Sequence, residues 1–112
     1  MKEQITFDDF DKIDIRVGTV ISVKKNEKAR KPSLVVEVDF GEEIGIKKTS
    51  AQITNYSLES LVNRKCIGII NLGEKQIGSI MSQCLILGSI DKEGNVLLLN
   101  PDEDSSLGDK VS

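Results

Sequence analysis

The chain has 112 residues, which predicts one domain covering residues 1–112, and its 38% hydrophobic and 29% charged residues are ordinary for a globular protein. Its formal net charge is −3, so the charge of the whole molecule does not indicate nucleic-acid binding. It contains no histidine, and its two cysteines, Cys66 and Cys84, lack a CxxC spacing, so histidine-based catalytic dyads and the common zinc sites are excluded. We therefore predict a protein that is not an enzyme and that carries no metal or cofactor.

A short helical turn is predicted near the start of the chain. Thr6 followed by Asp9 forms a capping-box pattern, which is typical of a helix N-terminus, and the turn would end near Lys12. Phe7 and Phe10 are three residues apart, so they would lie on one side of this helix. We expect the two rings to share a buried face.

A long strand follows, because apolar and polar side chains alternate over residues 13–24. Such a strand has one apolar face, and Gly18 is expected to allow a sharp bend in it. The next segment, residues 24–32, is polar and basic, and Asn26 and Pro32 mark it as a loop.

A hairpin and a short helix come next. Residues 34–40 alternate again, which places Phe40 on the inward face, and a glycine-containing turn leads to a third strand over residues 44–47. Ser57 is a good N-cap for a short helix, and Asn63 is expected near the end of that helix.

The last third of the chain is predicted to contain three strands. Two mostly apolar strands, residues 66–72 and 84–90, are joined by a connection that contains glycine and lysine, and residues 96–99 form a final strand. Residues 101–112 have a loop-like composition. Cys66 and Cys84 fall inside the apolar strands, which predicts two buried, reduced thiols.

The order of these elements indicates an all-β fold. A long strand, a hairpin, a helix and then further strands match the OB-fold, a five-stranded Greek-key barrel with a short helix between strands three and four. Another small barrel, such as an SH3-like one, is the alternative, although a helix at this position is less expected there.

The longest apolar run, residues 96–99, is far below the roughly 20 residues of a membrane span. The polar start is unlike an export signal, so a cytoplasmic protein without a membrane partner is expected.

Several short motifs follow one another along the chain in a characteristic order and spacing. They are Asp14-Ile15-Arg16-Val17-Gly18, Ala29-Arg30-Lys31-Pro32, Asp39-Phe40-Gly41, Ser50-Ala51-Gln52-Ile53-Thr54, Lys75-Gln76-Ile77, Met81-Ser82 and Leu87-Gly88. In this arrangement the chain resembles the CsaA family, from about Phe7 to the C-terminus. CsaA proteins belong to a wider group of tRNA-binding OB domains, which includes the C-terminal appendage of many methionyl-tRNA synthetases.

The resemblance implies a tRNA-binding protein that recognises tRNA by shape and backbone charge. It also implies a homodimer, joined through the N-terminal turn and a C-terminal strand extension outside the barrel, and a chaperone role in protein secretion. This sequence departs from the family pattern where Gly73 and Glu74 replace two prolines and where Ser79 replaces a glycine. We expect these departures to affect the strength of tRNA binding.

The candidate binding residues come from basic and polar segments of the predicted barrel. They are Arg30, Lys31, Lys47, Lys48, Ser50, Asn71, Lys75, Gln76, Met81 and Ser82. Cations in the first loop would neutralise phosphates, and amide side chains would contact unpaired bases or sugars. The basic loop could instead be a solvated loop diluted by Glu27, Ser50 could lead into the helix, and Met81 could fill the core.

Two observations bear on the kind of partner. The aromatic residues are only three phenylalanines and one tyrosine, too few for a base-stacking platform, which favours recognition of folded RNA by shape. The alternative function is that of a chaperone for unfolded or export-destined polypeptides, with tRNA binding incidental. That function needs an exposed apolar patch, for which Ile77, Ile80 and Met81 are the candidates.

Overall fold

Strands dominate the computed structural model, which describes residues 1–112. The strands are β1 (Ile15–Lys25), β2 (Leu34–Asp39), β3 (Ile46–Ala51), β4 (Lys65–Ile69), β5 (Lys75–Ile77), β6 (Ile80–Ser82), β7 (Leu85–Ile86), β8 (Gly88–Ile90) and β9 (Val96–Leu98). The two helices are α1 (Phe7–Asp11) and α2 (Leu58–Leu61). Neither helix has the length or the apolar character that a membrane crossing requires.

The main sheet has five antiparallel strands in the order β3-β2-β1-β4-β7, and it curls into a nearly closed barrel. The remaining gap, between β3 and the β6–β7 segment, is bridged by hydrogen bonds. The backbone N–H of Gln83 donates to the Lys48 carbonyl at 2.8 Å, and the backbone N–H of Ser50 donates to Ser82 Oγ at 3.0 Å. With α2 between β3 and β4, this architecture confirms the predicted five-stranded barrel with a helix between strands three and four.

The core lies inside the barrel and is centred on Phe40, which is fully buried as its alternation predicts. Two glycines make room for its ring. A Cβ atom on Gly18 would lie 2.9 Å from Phe40 Cδ1 and 2.5 Å from Val38 Cγ1, and one on Gly68 would lie 3.0 Å from Phe40 Cζ. Gly18 is therefore required for close packing, and the expected bend of β1 at this position stays a prediction. Strand β1 has a register shift at Ile21.

Helix α1 begins as predicted, because Thr6 Oγ1 accepts a hydrogen bond from the Asp9 N–H at 3.1 Å. The predicted buried face is wrong: Phe7 is 87% exposed, Phe10 is only half-buried, and no residue of α1 is buried. The first strand of the barrel begins at Ile15, after α1 has ended at Asp11, so α1 lies outside the barrel. Helix α2 is capped by Ser57, and Asn63 just beyond it has a φ of 69°, a common way to end a helix.

The connection after β4 contains structure that the sequence pattern did not predict. Strand β4 ends at Ile69, and β5 and β6 form a small hairpin within the expected loop. The single strand expected over residues 84–90 is split at Leu87. Its first part pairs with β4 in the barrel, whereas its second part, β8, leaves the barrel to pair with β9.

The C-terminal segment runs along the first residues of β1. The Gly108 N–H donates to the Val17 carbonyl at 2.8 Å, and the Val111 N–H donates to the Ile15 carbonyl at 2.9 Å. A single antiparallel bridge, between Arg16 and Lys110, forms there. The segment is thus a short extension of the sheet beside β1.

The two thiols are free and buried, as predicted, and their burial has a consequence at alkaline pH. Burial raises the pKa of the Cys66 thiol to about 12 and the pKa of the Cys84 thiol to about 11. Between pH 9 and 11 the unfolded chain loses these protons and the folded chain keeps them. We expect each thiol to lower the free energy of unfolding by up to about 1.4 kcal/mol per pH unit in that range, by about half of that slope at pH 9, and by almost nothing below about pH 8.

The measurement is urea unfolding at pH 8, 9, 10 and 11 for the wild type and for a Cys66→Ala, Cys84→Ala variant. Other groups titrate equally in both proteins, so the comparison concerns the pH dependence and not the absolute stability. The variant should show a shallower loss of stability above pH 9. Equal pH dependence in the two proteins would contradict the assignment.

Candidate functional site

A groove of about 660 Å³ opens on one side of the barrel, between the β1–β2 loop and the β5–β6 hairpin. We call it the basic groove. Its lining residues are Lys28, Ala29, Arg30, Lys31, Ser33, Thr49, Ser50, Ala51, Gln52, Ile53, Lys75, Gln76, Ile77, Gly78, Leu85, Ile86 and Val96. The loop and the hairpin supply the two walls, and the end of β3 supplies the floor.

Positive charge distinguishes this groove from the rest of an acidic chain. Lys28, Arg30 and Lys31 lie on the loop wall and Lys75 lies on the hairpin wall, all with exposed side chains. No aspartate or glutamate lines the groove. Glu74 is next to Lys75 in the sequence but is not one of the lining residues. Four cations around one concave surface concentrate positive potential there, although the net charge of the whole chain is −3. The groove therefore suits a polyanion.

The floor beneath the cations is a buried network of polar side chains. Asn26 Nδ2 donates to Ser50 Oγ at 2.9 Å, and Ser50 Oγ donates to Ser33 Oγ at 3.0 Å. The Ser50 N–H in turn donates to Ser82 Oγ. Asn26, Ser33, Ser50 and Ser82 are all buried, and no buried side-chain nitrogen or oxygen lacks a hydrogen-bond partner. A fully satisfied network of this kind holds its surroundings in one arrangement.

The two walls touch each other where the hairpin turns. Gly78 has a φ of 64°, which favours glycine, and a Cβ atom there would lie 2.9 Å from the Lys28 carbonyl carbon and 3.0 Å from the Ala29 nitrogen. A side chain at this position would push the hairpin away from the loop. The glycine thus permits the close approach that shapes the end of the groove.

The structure brings together half of the residues that the sequence nominated. Arg30, Lys31, Ser50, Lys75 and Gln76 line the groove. Ser82 lies just behind the floor, where its hydroxyl accepts a hydrogen bond from the Ser50 backbone.

The other nominated residues lie elsewhere. The Asn71 amide ties its loop to the chain before β1, accepting from the Asp14 N–H at 2.8 Å and donating to the Lys12 carbonyl at 2.7 Å. Lys47 and Lys48 are half-buried on β3 and do not line the groove. Met81 is 44% exposed on the hairpin outside the groove, so it does not fill the core.

Sequence reasoning missed several residues that build the groove. The sequence pattern marks Asn26 only as a loop residue, yet Asn26 is 7% exposed and forms the centre of the floor network. Lys28 belonged to the basic stretch, but nothing in the pattern separated it from Lys24 and Lys25, which line a different cleft. No sequence signal marks Asn26 as a buried residue.

Comparisons with known proteins give one consistent result. The family model described as "Putative tRNA binding domain" matches residues 15–110. The methionine–tRNA ligase of Pyrococcus horikoshii is 40% identical over 114 residues, which cover 97% of this chain and 15% of that enzyme. The chain thus spans only a small part of the length of the curated relatives it matches.

Solved structures match over their full length. A CsaA chaperone protein from Picrophilus torridus is 44% identical with a TM-score of 0.92, and the match covers 97% of this chain and 100% of that one. The chaperone CsaA from Bacillus anthracis is 36% identical with a TM-score of 0.91, covering 98% of this chain and 100% of that one. The similarity to these two proteins, in both fold and sequence, therefore extends over nearly the whole chain.

Proposed function

Since the chain belongs to the tRNA-binding domain family, and within it to the CsaA proteins, we propose that it binds folded tRNA along the basic groove. The main support is the charge of the groove, where Lys28, Arg30, Lys31 and Lys75 surround a concave surface free of acidic side chains. Each of these cations can neutralise a phosphate and release the counterions condensed around the RNA, which gives a salt-dependent affinity.

The composition of the groove also indicates how the RNA is recognised. No aromatic side chain lines it, so bases have no stacking platform of the kind used by general single-strand binders. The Ser50 and Gln76 side chains offer a few polar contacts beside the cations. Binding by backbone charge and by the fit of a folded RNA follows from this combination.

The proposed activity is binding and not catalysis. The chain has no histidine, and the groove holds lysine, arginine, serine and amide side chains without a carboxylate to act as a base. Burial raises the pKa of both thiols, so neither is an activated nucleophile. We place this activity in the cytoplasm, where tRNA is found and the thiols stay reduced.

The first test is the affinity for bulk tRNA over a salt series, with Arg30→Ala and Lys75→Ala beside the wild type. One residue comes from each wall of the groove. We expect the wild-type affinity to fall steeply with salt, and each variant to lose about three- to tenfold at 0.1 M salt. The slope of log affinity against log salt should shrink by about 0.7–0.9 per lost phosphate contact.

The matched control is Lys92→Ala, which removes an exposed lysine from the β8–β9 turn, outside the groove. It should leave affinity and slope close to those of the wild type. No detectable binding by the wild type at low salt would overturn the proposal, and an equal loss in all three variants would remove the groove from it.

A second candidate function is favoured by the apolar side chains that line the same groove. The half-buried Ile77 and the 47% exposed Leu85 give it an apolar side, and two of the full-length structural matches are named as chaperones. An unfolded polypeptide could bind there through apolar side chains. This binding would survive high salt, whereas tRNA binding would not, so the salt series separates the two functions.

We also propose that two copies associate through the elements outside the barrel. Ile5 is 58% exposed and Phe7 is 87% exposed, so the N-terminal turn presents apolar surface to solvent. The C-terminal segment beside β1 offers a second such element. A dimer would present two basic grooves to one RNA and raise the apparent affinity without new contacts in either subunit.

A further inference from the structure

Asn26 is the point where the loop wall, the floor and the hairpin wall of the basic groove meet. We propose that Asn26 is a positioning residue, which fixes the cations of the two walls at the spacing that a bound RNA requires. The inference rests on the proposed tRNA binding. It assigns to Asn26 no contact with RNA, because the side chain is buried beneath the groove and does not line it.

The hydrogen bonds of Asn26 reach every part of the groove. Its Nδ2 donates to Ser50 Oγ on the floor at 2.9 Å and to the Ile77 carbonyl on the hairpin at 3.3 Å. Its backbone N–H donates to the Ser33 carbonyl at 3.0 Å, and its own carbonyl accepts from the Ala29 N–H at 3.4 Å. One residue therefore closes the base of the loop and joins the loop to both other parts.

The chemistry of the side chain explains why an amide is needed. The two N–H bonds of Nδ2 diverge, so one nitrogen can serve two acceptors on different elements. A carboxylate would have no proton for the Ile77 carbonyl, and a serine hydroxyl has only one proton and a shorter reach. An alanine would leave a carbonyl and a hydroxyl without their donor in a buried place, which is unfavourable.

The positions of the cations along the chain connect this geometry to binding. Lys75 is two residues before Ile77, whose carbonyl Asn26 holds. Arg30 follows Asn26 in the loop whose base Asn26 closes. Without the amide, no hydrogen bond joins the hairpin to the loop, and the packing of Gly78 on Lys28 and Ala29 remains. The two walls could then separate, and one RNA backbone would no longer meet both sets of cations at once.

The test is a double-mutant cycle on tRNA affinity with Asn26→Ala and Lys75→Ala. We expect Asn26→Ala alone to weaken binding by about tenfold, and Lys75→Ala to cost at least threefold less in the Asn26→Ala background than in the wild type, because coupled sites are not additive. If the loss from Lys75→Ala is the same in both backgrounds, Asn26 acts on stability alone and the inference is wrong.

A second variant separates the walls by a different route. Gly78→Ala keeps every polar group but adds a Cβ that must push the hairpin from the loop. It should reproduce the reduced effect of Lys75→Ala while the floor network stays intact. The control Asn100→Ala also removes an asparagine that makes two hydrogen bonds, in this case with Arg64, and neither of these residues lines the groove. It should leave the cycle unchanged.

Hydrogen exchange of the free protein distinguishes failure of this inference from failure of the proposed function. In Asn26→Ala, amides of β5 and β6 and of the β1–β2 loop should exchange at least about tenfold faster, while those of β1 and β4 stay protected. If the wild type does not bind tRNA, the proposed function fails, and faster exchange still shows that Asn26 joins the walls. Unchanged exchange in the loop and the hairpin would overturn the role of Asn26 whatever the RNA result.

Discussion

Replacing Phe40 by alanine is expected to lower the free energy of unfolding by about 3–5 kcal/mol, which is a large part of the roughly 5–15 kcal/mol of a typical domain. The ring is fully buried at the centre of the barrel. Gly18 and Gly68 face it without side chains of their own, so neither neighbour can move into the space that the ring would leave. The cavity would stay open, and the loss should lie toward the upper end of this range. Urea unfolding at pH 7 measures it.

Two further variants make this expectation specific. Phe40→Leu keeps part of the volume and should cost clearly less than the alanine variant. Phe7→Ala removes the same side chain from a position that is 87% exposed, and should change the unfolding of the single chain by no more than about 0.5 kcal/mol. A similar loss at both phenylalanines would mean that the core is not centred on Phe40.

Reversing the charge of the basic groove should abolish most tRNA binding. With Arg30→Glu, Lys31→Glu and Lys75→Glu combined, three of the four lining cations become anions, and we expect a loss of at least about 100-fold at 0.05 M salt. The favourable release of counterions is lost and repulsion of phosphates takes its place. All three side chains are exposed, so the fold should be retained. The measurement is tRNA binding at several salt concentrations, with circular dichroism to check folding.

A matched variant distinguishes the groove from the charge of the whole protein. Lys2→Glu, Lys92→Glu and Lys110→Glu produce the same change in net charge at exposed positions outside the groove. Because Lys2 and Lys110 lie at the elements of the proposed association, gel filtration must show the same oligomeric state for this variant as for the wild type. Long-range repulsion alone should cost this variant only a few-fold, and less as salt increases. If both triple variants lose binding equally, the RNA does not use the groove.

Alternation along the chain was enough to predict the barrel, because a strand with one buried face must repeat every two residues. Strands β1 and β2 and the buried position of Phe40 follow directly from it. The β5–β6 hairpin could not be found in this way. Only one of its six strand residues is buried, and that one is a serine, so no apolar period marks this separate two-stranded sheet. The predicted burial of Phe7 is wrong because helical spacing indicates which residues share a face of the helix, but not whether another element covers that face.

The cations of the candidate site could be predicted from the sequence, whereas the residues whose role depends on the folded geometry could not. Arg30 and Lys31 are long cations in the β1–β2 loop and Lys75 is one on the β5–β6 hairpin, and such residues point to a polyanion whatever the details of the fold. Asn71 and Asn26 show the limit. Both are asparagines in connecting segments, yet one ties the chain before β1 and the other forms the floor of the groove. Their roles depend on which distant carbonyls and hydroxyls come within reach, which only the folded chain decides.

The placement of the chain ends sets what the domain can be joined to. The C-terminal segment runs beside the first residues of β1, directly after α1, so both ends meet at one pole of the barrel. Strand β1 then extends over 11 residues, or at most about 33 Å at 3.3 Å per residue, before it reaches the loop that forms the groove. A second folded unit fused at either end would stand away from the basic groove. The groove would therefore stay open to solvent if the domain were joined to a larger protein.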